Sequence, residues 1–538
     1  MVLPAADLLS GSDLSPARLT LLALTLILAS LSTYIAYSYF FHPLAGLSGP
    51  LRAKTGLGGW MTIRAAKRDF GWELANLHER FGPIVRTGRN SVSVVDPAAV
   101  NDLYRFGGAV RDKAPFYQFF KVTAPSLLAT LPHDAHNLAR RGVSPAFSMN
   151  LLLDLEEFVD AAYDEFCAYL DGQIAKSVKG KATVDMGNML QFLAMDVVGE
   201  LAFGQSFGLC KAGHDTEDYL PMLDAYTASS CLSGTQPWAR PILHRYLTRK
   251  LGSSGNAALG QKASLAVSRR LAEIEKASGD ESLLRKDVLS KLISAKNPDG
   301  SPFSVAQVKV QANSILGAGS DTTSITFRAL LAYIIKNKRI YDTVMQELEE
   351  AVESGAVSFP ITYAAACKLE YFQSCLKETL RLHPAVPWVL PRVIPQGGAV
   401  VAGRHFASGV EIGMSPYVFQ RRKEAYGEDA EVFRPERWIE ATAEERKTME
   451  RDLIAFGQGN RICVGKNIAL MELSKLAPSV LYRYNLSFTP RNTPNSPHKF
   501  PGRTVDGKLD DSEPWHCESQ WFSHQRDFWV DVSERISS

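Results

Sequence analysis

The sequence has no CxxC pair, and its seven cysteines (Cys167, Cys210, Cys231, Cys367, Cys375, Cys463 and Cys517) are odd in number and scattered. This argues against a disulfide framework or a zinc site and fits a reducing compartment. Six of the seven read as buried space-fillers, with Cys463 the exception. Charge of one sign is also scarce. The formal net charge is +2 and no basic run stands out, so no nucleic-acid partner is expected. Internal repeats are absent. Apolar residues are plentiful: 46% of 538 residues are hydrophobic, ample for a large buried core.

From Leu19 to Phe41, "LTLLALTLILASLSTYIAYSYFF", charge is missing altogether. As a helix these 23 residues extend about 34 Å, enough to cross a hydrocarbon core of about 30 Å. Tyrosines gather at the C-terminal end, as in an interfacial belt. Arg52, Lys54, Arg64, Lys67 and Arg68 follow, while only Arg18 precedes. The positive-inside rule then places a tail, residues 1–18, in the lumen and the body in the cytosol. A cleaved signal peptide is the alternative, but its apolar region usually runs about 7–15 residues. Next comes "HPLAGLSGP", whose Pro43, Gly46, Gly49 and Pro50 cannot continue a helix. Residues 42–55 read as a stiff hinge between the anchor, 19–41, and one globular domain, 56–538.

Within that domain, Phe81 to Asp96 carries β-branched residues and turn punctuation, which predicts a small hairpin. From about Asp134 to Ser354 the patterns are mostly helical, with breaks at "KNPDGSPFS" (Lys296 to Ser304) and "LGSSGNAALG" (Leu251 to Gly260). Short strands are expected around Val389 to Val401 and at "FWVDV" in the tail. The fold class is therefore mainly α with a smaller β region.

One helix stands out. Ser304 and Gln307 form a capping-box pattern, and no proline follows until after Lys338, about 34 residues or roughly 50 Å. Its middle, "GAGSDTTS" (Gly317 to Ser324), is built from poor helix formers. Two readings stay open: a packing weakness, or an opening that admits a ligand and offers it hydroxyls.

In "FGQGNRICVG" (Phe456 to Gly465), glycines let the backbone turn sharply around Cys463 and approach a flat object. A helical pattern follows, so the thiol sits near a helix N-terminus, and that end together with Arg461 favours thiolate. A thiolate so placed can ligate haem iron. A structural thiol in a glycine-rich turn is the other reading. "KETLRLHP" puts Glu378 and Arg381 three apart on one helical face, and Arg437 of "FRPERW" can complete a network behind the cysteine loop. A solvated i,i+3 ion pair is the plainer account of the first two.

"FGQGNRICVG", "AGSDTT", "ETLR" and "PERW" in one chain behind an N-terminal anchor resemble the cytochrome P450 family. The resemblance runs from about Phe41 onward, and the pattern F-x-x-G-x-R-x-C-x-G is matched in full. It implies the fold of that family, with the long helix over a haem. Cys463 looks like the axial thiolate ligand of haem b. Phe456 would pack by the sulfur, and Arg461 and Arg392 (of "LPRVIP") would meet propionates. Asp321 and Thr322 look like the acid–alcohol pair that relays protons to dioxygen. Glu378, Arg381 and Arg437 look like the structural triad. In "HDAHNLARRGVSPAFS" the family's W-x-x-x-R pattern has His136 in the tryptophan position and Arg140 in the other. A second departure is Gln420, Arg421 and Arg422 where the family usually has His-Arg-Asp. The closest flavour is the fungal microsomal enzymes, pisatin demethylase-like members included.

The resemblance implies a monooxygenase of secondary metabolism in the endoplasmic reticulum membrane. Its electrons would come from NADPH through a separate reductase, with cytochrome b5 as a further donor, because no fused flavin module fits this length. By position, Phe116, Tyr117, Leu316, Ala318, Trp388 and Val389 are candidates for an apolar, partly aromatic substrate pocket. Two other classes stand beside this one. A thiolate-haem isomerase or dehydratase commonly lacks the acid–alcohol pair, which is intact here. A non-catalytic haem- or ligand-binding protein would tolerate decay of the glycines or the relay, and neither has decayed.

Overall fold

The computed structural model describes residues 16–57, 59–121, 125–236, 245, 254–277, 285–489, 504–505, 508–509, 517–526 and 528–535. The luminal-tail expectation for residues 1–15 lies outside them. The uncharged run forms a helix, Pro16–Ala36, that widens to π geometry over Tyr37–Phe41. Together these 26 residues are long and apolar enough to cross a membrane, and nothing in the span's apolar window is buried. Ser38, just beyond that window, is buried.

The helix stops at Phe41, and the segment after it is docked on the body. Leu44 and Leu47 are buried in the core of the β region. Ser38 Oγ donates to the Lys54 carbonyl at 2.7 Å, and the buried Arg86 donates to the Ser38 carbonyl at 3.0 Å. Apolar burial, with backbone carbonyls satisfied by one arginine, holds the segment to the body.

Around Phe81 to Asp96 the expected hairpin is present, Ile84–Arg86 against Ser91–Val94, with Val85 opposite Ser93. Ser91–Val94 pairs in parallel with Glu411–Gly413, which pairs antiparallel with Arg392–Val393. In a second sheet, Trp529–Glu534 lies between Ala182–Asp185 and Tyr484–Phe488, so the tail's "WVDV" is a central strand. Its burial alternates along the strand, with Val530 and Val532 inward.

The rest is helical. The central helix, Val305–Lys336, starts at the expected box: Gln307 N donates to Ser304 Oγ at 3.3 Å, and Ser304 N donates to Gln307 Oε1 at 2.8 Å. Its 32 residues give about 48 Å. Its most extensive neighbour is the helix Met186–Phe203, buried on nearly every side, and it also packs on Ser254–Lys276, Lys466–Arg483 and Glu370–Leu382. From Ser320 to Ile334 every residue except Thr322 is buried. The expected break at Leu251 to Gly260 is corrected for residues 254–260, the first three lying outside the described residues. A helix runs Ser254–Lys276 and packs on the central helix, tertiary packing overriding propensity. Cys367 as well as Cys463 is exposed, so five rather than six of the cysteines are buried.

Candidate active site

The cysteine loop runs from the buried Ile454 to the helix Lys466–Arg483. Gly457 and Gly459 both take left-handed φ, 69° and 63°. At Gly459 a Cβ would lie 1.8 Å from the Tyr104 carbonyl, so only glycine lets the two backbones meet. Cys463 N donates to the Phe456 carbonyl at 2.8 Å and closes the turn. The half-buried Phe456 packs on the main core. The Cys463 residue is exposed, yet protein surrounds the thiol closely.

Burial pushes the Cys463 thiol up, opposed by the N–H groups of Gly465 and Lys466 and by the charges of Arg140 and Lys466. The expectation that Arg461 is the activating cation is therefore corrected. Its guanidinium turns away and donates to the Thr130 and Leu131 carbonyls at 3.1 and 2.8 Å. Arg140 takes that place, donating to the Ile462 carbonyl at 2.6 Å.

Arg461 instead joins a group of basic residues. His136 and Arg140 lie one turn apart on the helix His133–Val143. Arg392 is buried beneath Tyr104, 4.9 Å from the ring centroid, and bonds to Tyr117. A residue the sequence did not single out, Lys113, is buried among them and donates to the Leu127 and Leu128 carbonyls at 2.9 and 2.8 Å. The charges work against one another. Burial, then Arg461, Arg392 and Arg140, hold the Lys113 ammonium well below its usual range. Burial, then Lys113 and Arg461, take His136 down to about 2. Asp112 opposes them at Arg461, but among the described residues no carboxylate is bonded to any of the five.

His136 Nδ1 and Arg461 Nε are buried and unpartnered. Buried cations without an acid call for an anionic ligand. The two carboxylates of a haem would satisfy that demand, so the residues present fit the group. Lys113 carried no signal of its own, a single lysine before an aromatic turn.

Glu378 lies at the opposite extreme. It accepts from Arg381 Nε and Nη2 at 2.8 Å each, Arg437 Nε at 2.9 Å, Trp438 Nε1 at 2.9 Å and Arg434 N at 3.0 Å. Glu378, Arg381 and Arg437 are all buried, so the solvated-pair account falls. Arg381 also binds the Gln420 and Ala430 carbonyls at 3.0 and 2.6 Å. Gln420 returns its amide to the Leu380 and Arg381 carbonyls at 3.0 and 2.9 Å, so this departure from the family pattern ties the same helix end.

In the central helix the glycines of "GAGSDTTS" differ in their surroundings. A Cβ at Gly319 would stand 2.9 Å from Val198 Cγ2, so that glycine serves packing, whereas one at Gly317 would meet nothing within 4 Å. Gly317, Ala318 and Thr322 form the open face. Thr322 Oγ1 donates to the Ala318 carbonyl at 2.7 Å. Asp321 is buried and faces the helix Met186–Phe203, where it accepts from Gln191 Nε2. Burial raises its carboxyl to about 6.

Of the six pocket candidates only Ala318 is open. The expectation is corrected for Leu316 and Trp388, which have no accessible surface. Leu316 is part of the main core. Trp388 is stacked between Phe70 (3.8 Å) and Phe116 (5.4 Å). Phe116, Tyr117 and Val389 are buried in the same aromatic cluster. Trp521, from the tail and missed in the sequence, closes that cluster 4.6 Å from Phe120.

The Cytochrome P450 family model matches residues 55–508. The chain is 30% identical over 516 residues to cytochrome P450 monooxygenase cicH of Emericella nidulans, covering 93% of this chain and 97% of that one. It is 29% identical over 525 residues to cytochrome P450 monooxygenase gsfF of Penicillium aethiopicum, covering 95% and 98%. Pisatin demethylase of Fusarium vanettenii is 30% identical over 476 residues, covering 87% and 88%. A matched family model across most of the chain, a cysteine loop built for close approach, and an acid-free nest of cations converge: the chain belongs to the cytochrome P450 family, a haem-iron monooxygenase with relatives in fungal secondary metabolism.

Proposed function

We infer that this chain is a membrane-anchored haem-thiolate monooxygenase that inserts one atom of O2 into an apolar small molecule of a fungal secondary-metabolite pathway. The observation that carries the reading is the pairing of an accessible Cys463 thiol, bonded by the N–H groups of Gly465 and Lys466, with buried cations that have no acid of their own. The printed name of pisatin demethylase supports oxidation of a small molecule.

Cys463 would hold the iron of haem b, and His136, Arg140, Arg392, Arg461 and Lys113 would hold its propionates, with Phe456 beside the sulfur. When bound, the haem supplies dioxygen activation, with the thiolate pushing electron density toward O–O cleavage. The chain's own residues do the rest. Gly317 and Ala318 leave room against the central helix for substrate. The aromatic cluster around Trp388 and Trp521 keeps water from one side. Thr322 presents a hydroxyl to the open face, and Asp321 holds a proton near its titration range behind it. Glu378, Arg381 and Arg437 fix the protein on the far side of the cysteine loop.

Electrons come from NADPH through a separate reductase, with cytochrome b5 as a second donor. Residues 1–18 are luminal, 19–41 cross the endoplasmic reticulum membrane once, 42–55 join, and 56–538 are cytosolic. Cys463→Ser tests the reading. The reduced carbonyl complex should lose the red-shifted band that thiolate ligation produces, and a host carrying reductase and fed candidate terpenoids and polyketides should lose its oxidised product. Persistence of that band in the variant overturns the ligand assignment.

A further inference from the structure

Asp321 sits mid-helix, but its partners are on a different helix. Gln191, buried in Met186–Phe203, donates from Nε2 to Asp321 Oδ1. The Gln191 oxygen accepts from Ser324 Oγ at 2.8 Å and from Arg328 Nη2 at 2.5 Å. Arg328, also buried, is itself held by Nε donating to the Gly187 carbonyl at 2.8 Å. A guanidinium can only donate, so Arg328 fixes which way the amide points: oxygen toward Arg328, NH2 toward Asp321. Asp321 Oδ1 is thereby committed as an acceptor. Its Oδ2 is buried and has no partner, and it alone is left to carry a proton.

We propose that Gln191 is a positioning residue for proton delivery: with Arg328 and Ser324 it locks one oxygen of Asp321 and leaves the other to carry the proton. The proposal rests on the reading of Asp321 as a proton carrier. A carboxylic acid delivers best when its proton sits on a defined oxygen and its affinity is near the working pH. The charged groups around Asp321 come from several elements. Burial raises its proton affinity most. The Gln191 N–H and the Arg328 charge oppose that, Asp224 of the helix Tyr219–Thr235 adds to it, and Arg526, just beyond the strand Ser523–Gln525, opposes it. Losing the Gln191 N–H therefore moves the balance upward. A simple tie between two helices would need the contacts to Ser324 and Arg328 and would be indifferent to which group faces Asp321.

Two variants separate these roles. Gln191→Glu keeps an acceptor for Ser324 and Arg328 but replaces the N–H facing Asp321 with carboxylate. Gln191→Met removes both interactions at similar volume. The full-length, haem-loaded protein is paired with its reductase and given NADPH and O2 without added substrate. Peroxide release follows NADPH + H⁺ + O2 → NADP⁺ + H2O2. Complete reduction follows 2 NADPH + 2 H⁺ + O2 → 2 NADP⁺ + 2 H2O and draws on further proton delivery. The first readout is peroxide per NADPH oxidised. The second is the infrared titration of the carboxyl band that Asp321→Asn removes.

In Gln191→Glu we expect haem retained, the Asp321 midpoint raised by at least about one pH unit, a tenfold change in proton affinity, and the water-forming share lowered about tenfold, less than the about 10²–10⁴ that a placed proton donor contributes in full, because Asp321 itself stays in place. Wild-type values for both readouts in Gln191→Glu, while Asp321→Asn raises peroxide, overturn the proposal. Loss of haem in both Gln191 variants also overturns it, in favour of a tie. No change of peroxide in Asp321→Asn instead overturns the carrier reading beneath it.

Discussion

Two arginine-rich clusters, one around Glu378 and one around Lys113, are assembled in opposite ways. Around Glu378, two buried arginines face a carboxylate that accepts five hydrogen bonds, and Asp429 meets Arg437 at 3.0 Å. Despite burial, Arg381 and Arg437 keep the Glu378 carboxyl below its usual range. Around Lys113, Arg392 is buried too while Arg140 and Arg461 are half-buried, and their company is backbone carbonyls, two tyrosines and each other. The first cluster is complete within the chain. The second is complete only with an anion. What separates a structural arginine from a receptor arginine is thus, above all, the presence of a bonded acid.

The strongest test of that contrast is Glu378→Gln. Removing the charge leaves the buried Arg381 with no carboxylate and Arg437 with Asp429 alone, and breaking a buried pair costs about 3–5 kcal/mol. The variant should fail to yield stable protein with or without haem, as read by thermal unfolding and haem content. If it folds at near wild-type stability, the closed cluster is not structural.

Arg392→Met should do the reverse. Taking one cation out of an acid-free group relieves repulsion, so the haem-free protein should be as stable as wild type or more so. The haem-loaded protein should give up haem faster by roughly 10–100-fold, the equivalent of about 1.5–3 kcal/mol for a hydrogen bond to a charged group. Stopped-flow transfer of haem to a scavenger apoprotein measures this. Equal destabilisation of both forms would erase the distinction.

The smallest effect is in pH. His136 takes up its proton in the folded chain only near pH 2, against 6.5 for an ordinary histidine, because burial, Lys113 and Arg461 oppose the charged form. The unfolded chain therefore binds more protons below 6.5, and folded stability falls as the pH is lowered through that window. Glu378 also has a lowered value, but its contribution persists until the pH drops below the unfolded carboxyl range near 4.5. Of the two clusters, only the open one responds between these limits. Haem carboxylates would return the proton to His136, so the urea midpoint should fall more steeply between pH 7 and 5.5 in the haem-free protein than in the loaded one.

Much of this was legible in the sequence where the signal is local. The capping box at Ser304, the hairpin at Phe81 to Asp96 and the glycines around Cys463 each depend on neighbours a few residues away. Glu378 and Arg381 show as a pair for the same reason. Lys113, Gln191 and Trp521 do not, since each acquires its meaning from partners brought up by the fold. Gln191 is 130 residues from Asp321, and nothing in "MLQFLAMD" marks one amide in an otherwise apolar helix. The Gly/Ser run at 251–260 misled because packing from the following turns extends a helix that propensity alone would end. Trp388 misled in the other direction, since its place near the site says nothing about whether its rings are already covered by Phe70 and Phe116.

The join between anchor and body is a bracket, not a leash. Its fasteners are the Arg86 and Ser38 hydrogen bonds and the insertion of Leu44 and Leu47, while Phe40 and Phe41 stay outside at 67% and 75% exposure, ready for lipid. A tether would let the body sample many tilts above the bilayer. A bracket would transmit the helix's own angle to the body, so the body's tilt on a bilayer would be set by a few contacts near Ser38. Any exchange of membrane helix upstream of Tyr37 should then keep that heading, whereas cutting one fastener would let the enzyme swivel on its mooring.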